Sequence, residues 1–241
     1  MIKRGLIVLV GLVLLWQVIV VVLQLPDYLV ASPWQVGVTI WQSKLLLVQE
    51  AWPTLAETLI GLGIAVLWGV LIALLMALFR VLRFWILPII LVSQAIPTFA
   101  IAPLFVVWFG YGMSSKVAVT IFALFFPVTI AFFDGLRRAD QGWLDMAKVM
   151  GANRYRTLWF LQLPAALPAL ASGVRVATAW APMAAVIGEW VGSSQGLGFL
   201  MLNANSRLDI PLMFAALVVL VAMSLVLYGI VDRVLKRCIR W

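Results

Sequence analysis

The sequence predicts an all-α, polytopic membrane protein with about six transmembrane helices and both termini cytoplasmic, and three observations lead there. Of the 241 residues, 65% are hydrophobic and only 11% are charged, whereas a soluble domain carries about 25% charged residues. A chain of this length folding in water has no way to hide that much apolar surface, so the solvent is lipid. The apolar residues lie in long unbroken runs rather than in the short alternating segments of a barrel. Backbone groups inside hydrocarbon must bond within the protein, which leaves the helix. The basic residues, finally, cluster in the short segments between those runs.

A span needs about 20 apolar residues, and six stretches qualify: 5–25, 55–79, 85–109, 117–133, 168–188 and 212–231. The first follows Lys3 and Arg4 in the manner of a signal peptide. Its apolar run exceeds the roughly 7–15 residues of such a segment, and the small residues Ala31 and Ser32 come well after it, so it is read as a retained span. With the N-terminus cytoplasmic, the inner segments hold Lys3, Arg4, Arg80, Arg83, Arg137, Arg138, Lys148, Arg154, Arg156, Arg233, Lys236, Arg237 and Arg240, 13 in all, against 3 outside, Lys44, Lys116 and Arg207. Such an excess in short loops sets orientation. The interval 26–53 then lies outside, where 34–52, bounded by Trp34 and Trp52, is expected as an interfacial helix. Glu57 is expected as a first-turn acid of the second span, and Gly61, Gly63 and Gly69 are expected to admit close helix contact there. The organisation is an N-terminal span with outer loop over 1–50, a transmembrane domain over 51–232 that includes an inner loop at 134–167, and a basic cytoplasmic tail at 233–241.

Composition also excludes. A net charge of +8 on a soluble protein points to nucleic acid, but here the distribution between spans accounts for it, and no nucleic acid partner is expected. Histidine, the commonest general base and metal ligand, is absent. The single Cys238 closes no intrachain disulfide and builds no metal set. The glycine-rich stretch 192–198 lacks the Lys-Ser/Thr ending of a phosphate-binding loop, so the chain is expected to bind no ATP and no cofactor.

The interval 134–167 is too charged to span and too apolar to be a solvated linker. Leu144, Ala147, Val149 and Met150 form a short apolar set before Gly151, and Leu158, Trp159, Leu161 and Leu163 form another after it. Glycine adopts positive φ readily, so Gly151 supplies a helix stop or a tight turn. Asn153 is placed to cap the next helix, and Pro164 and Pro168 are expected to end the segment and open the fifth span. The expectation is two short helices hinged at Gly151. An amphipathic helix there either docks in a partner's groove or lies on the lipid surface.

This segment resembles the signature loop of binding-protein-dependent ABC importer permeases, which reads E-A-A, three residues, G, nine residues, I-x-L-P. Here Asp145-Met146-Ala147 is followed after three residues by Gly151 and after nine more by Leu161-Gln162-Leu163-Pro164. Asp145, Met146 and Leu161 depart from the pattern but keep charge sign or apolar character. The resemblance implies the type I ABC importer permease fold in a bacterial plasma membrane. It implies that Asp145, Met146, Ala147, Gly151, Ala152, Arg154, Leu161, Leu163 and Pro164 dock on a cytoplasmic ABC ATPase, which uses the ATP. It implies further an extracytoplasmic substrate-binding protein, a surround of membrane lipid and a homodimer around one path. The likeness covers roughly residues 52–241. The segments from Pro97 to Gly110 and from Arg175 to Trp180, with Gly196-Leu197-Gly198-Phe199, are similar to the nitrate, sulfonate, taurine and pyrimidine-precursor subfamily. The stretch 188–198 is similar to hydroxymethylpyrimidine (thiamine-precursor) permeases.

Five residues are candidates for the translocation path: Pro97, Pro103, Arg175, Trp180 and Glu189. Pro88, Pro97 and Pro103 interrupt the third span, and broken helices line many transport paths, although kinked packing also accounts for them. Arg175, two turns into the fifth span, either faces an interface or inner gate or snorkels to the surface. Glu189 lies 14 residues further along, about 21 Å of helix, too far to pair with it. Glu189 meets the binding protein or substrate, or is a plain interfacial carboxylate. Trp180 shapes the path or simply packs. The main rival function is an ion-gradient-driven secondary transporter, which needs acids within the membrane, whereas Glu57 and Glu189 fall near the outer boundary. A membrane enzyme lacks a nucleophile–base pair, and a non-transporting scaffold is the third rival. A cysteine introduced within 134–167 is expected to react only from the cytoplasm. Its modification in intact cells by an impermeant reagent overturns the topology.

Overall fold

In the computed structural model, which describes residues 2–24, 26 and 29–239, the apolar runs are helices throughout. In chain order they are α1 (Ile2–Val22), α2 (Pro33–Gln42), α3 (Lys44–Leu78), α4 (Arg80–Ser93), α5 (Thr98–Phe109), α6 (Met113–Arg137), α7 (Gln141–Val149), α8 (Arg154–Thr157), α9 (Leu163–Gly192), α10 (Leu197–Ser206) and α11 (Ile210–Cys238). No strand occurs among the described residues. Leu25 of the first expected span and Arg240 and Trp241 of the basic tail lie outside the described residues, as do the side chains of Lys3 and Arg4. Helices α3, α6 and α11 are each long and apolar enough to cross a membrane, as is the run from Arg154 to Gly192 that contains α9. In α1 the described apolar stretch is Val10–Val22.

The third expected span is corrected. Instead of one helix over 85–109, α4 and α5 meet at 106° and qualify as a span only when counted together. The break falls at residues 94–97, where Pro97 has no N–H to continue the helix and disfavours helical backbone at Ile96. Pro88 and Pro103 sit inside α4 and α5 without breaking them. The outer interval is corrected too. Ser32 and Gln35 form a capping box at the start of α2, and α3 begins already at Lys44 with Pro53 inside it. Glu57 therefore lies well within α3 and not in its first turn.

The chain forms two compact units, one of Met1–Thr54 with Ser194–Ala222 and one of Leu55–Ser193 with Met223–Trp241. In the first, Trp16 stacks on Phe214 with ring centroids 5.5 Å apart. The start of α10, which no sequence feature predicted, is satisfied by α3: the Gly196 N–H donates to the Glu50 carboxylate, and the Leu197 N–H donates to Thr54 Oγ1 at 2.9 Å. These donors are two of those a helix start leaves without a helical partner.

The second unit is built on contact between α6 and α9. A Cβ on Gly173 would lie 2.9 Å from the Pro127 carbonyl oxygen, and one on Gly135 would lie 2.6 Å from Ala169 Cβ. Gly61 lets α3 approach Thr120 in the same way, with a clash at 2.4 Å. Lipid is as apolar as a leucine side chain, so helices in it associate through close packing of small residues. Leu62, Ala65, Leu124, Val128, Ala177 and Ala181 fill one cluster, and Met76, Phe132, Phe133, Leu136, Leu158 and Ala166 a second. The contact expected at Gly63 is missing, since nothing lies within 4 Å of a Cβ there. Gly173→Ala, pressed against a backbone carbonyl, is expected to lose about 1–3 kcal/mol of stability, and Gly63→Ala to lose almost none. Thermal unfolding of both variants in detergent checks this, and equal losses refute it.

Candidate functional site

The segment between α6 and α9 takes its shape from local capping chemistry. Asp140 opens α7 by accepting the Trp143 N–H at 3.2 Å. At the other end the Gly151 N–H donates to the Lys148 carbonyl at 3.0 Å and the Ala152 N–H to the Ala147 carbonyl at 2.9 Å. This pair is the Schellman arrangement, which needs a positive φ at its glycine, and Gly151 has φ +75°. Asn153 Oδ1 then accepts the Arg156 N–H at 2.9 Å and starts α8. The stop expected at Gly151 and the cap expected at Asn153 are both in place.

The expectation for the prolines is corrected in part, since Pro164 does stand in the first turn of α9. Pro164 and Pro168 do not end the segment, because helix runs continuously from Arg154 to Gly192. Residues Leu158–Gln162 form a π-helical turn, in which the Leu163 N–H reaches the Leu158 carbonyl. Pro164 has no N–H for the Phe160 carbonyl and its ring crowds that oxygen, and the wider turn accommodates both effects. Leu161, Leu163 and Pro164 thus form the root of α9, and Pro168 sits inside it.

This segment has a back and a front. Leu158, 2% exposed, is set in the core beside Phe132, Leu136 and Ala166, and Leu163 packs at the edge of that cluster. Ala147 is buried. On the front, Trp143, Met146, Val149 and Met150 are exposed by 57%, 58%, 89% and 78%. Asp145 and Lys148 pair at 2.7 Å on the exposed surface, where an ion pair adds little stability. A cleft of about 300 Å³ lies behind, lined by Leu78, Arg80, Leu144, Lys148, Ala152 and Arg154. Leu158, the anchor, carried no mark in the sequence beyond being one of several leucines.

Two groups of charges within the spans are partnered. Arg175 Nε meets Asp232 Oδ1 of α11 at 2.8 Å, and Lys236 Nζ meets the other oxygen at 2.6 Å. Lys116 of α6 lies 3.6 Å from the Glu57 carboxylate of α3, with 4% and 2% of their side chains exposed. Glu189 of α9, also buried, adjoins the Glu57 carboxyl. Gly188 admits this arrangement, since a Cβ there would lie 3.0 Å from Lys116 Cα. The second Glu57 oxygen has no hydrogen-bond partner among the described residues. The sequence signal for this cluster was three charged residues of mixed sign in or beside apolar spans, and nothing in it says that they meet. Of the remaining path candidates, Pro97 is exposed at the bend, Pro103 is exposed on α5, and Trp180 shares an exposed stripe of α9 with Val176 and Met183. Arg175, Trp180 and Glu189 share α9, while Pro103 lies in α5 and Pro97 caps it.

The segment between α6 and α9 is rooted in a small-residue helix pair, and the comparisons give the class, a transport permease. Residues 65–240 match the family described as the inner membrane component of binding-protein-dependent transport systems. The chain belongs to that family: it is a multi-pass permease subunit of an ABC importer for small solutes in the bacterial inner membrane, without an ATPase site of its own. Membership implies ATPase and binding-protein partners and sets aside the ion-gradient-driven reading. The chain is 48% identical over 228 residues to a probable ABC transporter permease protein of Haemophilus influenzae, covering 95% of this chain and 93% of the relative. It is 36% identical to the riboflavin transport system permease protein RibX of Chloroflexus aurantiacus, over 95% of this chain and 87% of that one. It is 32% identical to the formylaminopyrimidine transport permease protein ThiX of Halalkalibacterium halodurans, over 95% and 92%. In fold it is similar to a chain of the inward-facing MetNI methionine ABC transporter, with TM-score 0.71 and 20% identity over 83% of this chain and 99% of that one. Removing Lys116 would leave two buried carboxyls without their cation, a loss of about 3–5 kcal/mol. Lys116→Met is expected to lose that much, and adding Glu57→Gln to restore part of it. Strictly additive effects in a double-mutant cycle of detergent unfolding refute the coupling.

Proposed function

We propose that two copies of this chain surround one path and import a nitrogen-heterocyclic solute of the pyrimidine type, driven by ATPase subunits docked on the α7–α8 segment. The observation that carries the docking is the exposed front of α7. Trp143, Met146, Val149 and Met150 present a methionine-rich apolar surface, while Leu158 and Ala147 hold its back. An amphipathic helix of this kind fits a hydrophobic groove, and methionine adapts its shape to such a groove. Both termini then lie in the cytoplasm with this segment, as the basic residues indicate. ATP binding draws the two α7 helices together. Leu158 and Leu163 tie each segment to the α6–α9 pair, so the pair turns as a body and the outer side opens. The α9 stripe with Val176, Trp180 and Met183 faces the path, Pro97 and Pro103 shape its wall, and Arg175 holds α9 to α11. Glu189 acts from inside the packing, by fixing α9 to α3 and α6.

Support for the substrate class comes from two relatives matched over 95% of this chain, whose names specify formylaminopyrimidine and riboflavin. A thiamine precursor such as hydroxymethylpyrimidine belongs to the same chemistry. Taurine transport, named for a relative that is 31% identical over 72% of the chain, marks the sulfonate reading as second. The test is a complex of the tagged chain with the ATPase encoded beside it, reconstituted with its binding protein. Gly151→Asp is expected to insert and assemble normally in the membrane but to lose ATP hydrolysis and uptake by more than about tenfold. Normal uptake by that variant overturns the docking role. In competition assays pyrimidines should displace the transported solute and taurine should not. The reverse overturns the substrate class and leaves the permease reading standing.

A further inference from the structure

We propose that Arg80, Arg83 and Arg137 form a headgroup site for an anionic phospholipid, with one apolar face of α4 receiving its acyl chains. α3 ends at Leu78 and α4 begins at Arg80, while α6 ends at Arg137. The two ends are adjacent, because Arg83 and Arg137 lie over the same Phe133 ring, with guanidinium carbons 5.8 Å and 5.6 Å from its centroid. Phe133 is 1% exposed and fixed in the core, so it holds two like charges in place. Ring attraction to each cation is modest and does not remove the repulsion between them. Among the described residues no carboxylate pairs with Arg80, Arg83 or Arg137, although Lys116, Lys148, Arg175 and Lys236 all have one. Two of the three arginines also stand in the first turn of α4, where the helix dipole favours an anion and disfavours a cation.

The surroundings select the anion. Arg80 and Arg83 line a cleft of about 890 Å³ whose other described walls include Phe84, Trp85, Pro88 and Ile89. Phe84, Trp85 and Ile89 are exposed. The cleft is cationic at one end and apolar at the other, at the end of the spans, where tryptophan marks the headgroup level. A guanidinium donates in parallel to phosphate oxygens, and the aliphatic and aromatic wall matches the first carbons of an acyl chain. Free phosphate would satisfy the arginines and leave that wall uncovered. Basic pockets between helices on the side with excess Lys and Arg are suited to anionic headgroups.

The test is native mass spectrometry of the full chain in neutral detergent, titrated with phosphatidylglycerol or with phosphatidylcholine of the same acyl length. Phosphatidylglycerol is expected to be retained in preference. Its affinity should fall about fivefold for each arginine removed in Arg80→Gln and Arg83→Gln, and about 25-fold in the double variant. Arg207→Gln, an exposed arginine elsewhere, should change nothing, and millimolar inorganic phosphate should leave the lipid bound. Where the double variant fails to insert, Arg83→Lys with Arg80→Gln keeps one ammonium at the site and should still prefer phosphatidylglycerol, more weakly than the native chain. Equal retention of the two lipids, or an undiminished preference in the variants, overturns the site. Displacement by inorganic phosphate assigns the arginines to a free anion and also overturns it. So does loss of the lipid when the ATPase subunit binds, which assigns them to a protein partner.

Discussion

The contact between α6 and α9 is the constraint on which the rest of this protein depends. In lipid no hydrophobic force pushes helices together, so their association rests on how closely their surfaces fit. Gly135 and Gly173 leave room for Ala169 and for the Pro127 carbonyl at distances that a methyl group would violate. The same two helices carry the α7–α8 segment between them, one ending at Arg137 and the other rooted at Leu163. A segment strung between two helices that fit this closely is anchored at both ends. Leu158, sunk beside Phe132 and Leu136, removes the slack that a surface loop would otherwise have.

Charge is the second organising term. An ion in hydrocarbon is costly unless it is paired or solvated, and two groups of paired ions stand among the described residues of the second unit. Lys116, Glu57 and Glu189 join α6, α3 and α9, and Arg175 with Lys236 shares the Asp232 carboxylate between α9 and α11. Each group ties helices at one place and specifies which faces meet. Neither is a strong source of stability, because desolvation offsets most of the attraction between buried charges. Their value lies in excluding other arrangements of helices that packing alone would tolerate. The arginines around Phe133 differ in kind, since their counter-charge is not supplied by any described residue of the chain.

The segment between α6 and α9 is economical in its chemistry. One side chain oxygen from Asp140, one positive φ at Gly151 and one cap from Asn153 set its course. Those features leave the front of α7 free to be apolar without upsetting the fold behind it. Pro164 adds the π-turn that connects this segment to a long helix without a break. A buried root and an exposed, methionine-rich front suit the docking role proposed for this segment.

Much of this was determined by the sequence on its own. Lipid forces apolar runs into helices, so α6 and α11 could be read from hydropathy, and the caps at Gly151 and Asn153 depend only on neighbouring backbone. Fold class and the turn at Gly151 were legible for that reason, and the spacing around Gly151 carried the resemblance to a permease family. Tertiary structure decided what depends on distant residues or on competing local terms. Three prolines marked the third span, yet only Pro97 breaks it, because the cost of a proline depends on what else can satisfy the freed carbonyl. Glu57 looked like a first-turn acid until α3 proved to start at Lys44 and to carry it past Lys116. Arg175 found its carboxylate 57 residues away. A hydropathy sum runs along the chain, whereas an ion pair or a glycine contact is settled across it, by which helix faces come together.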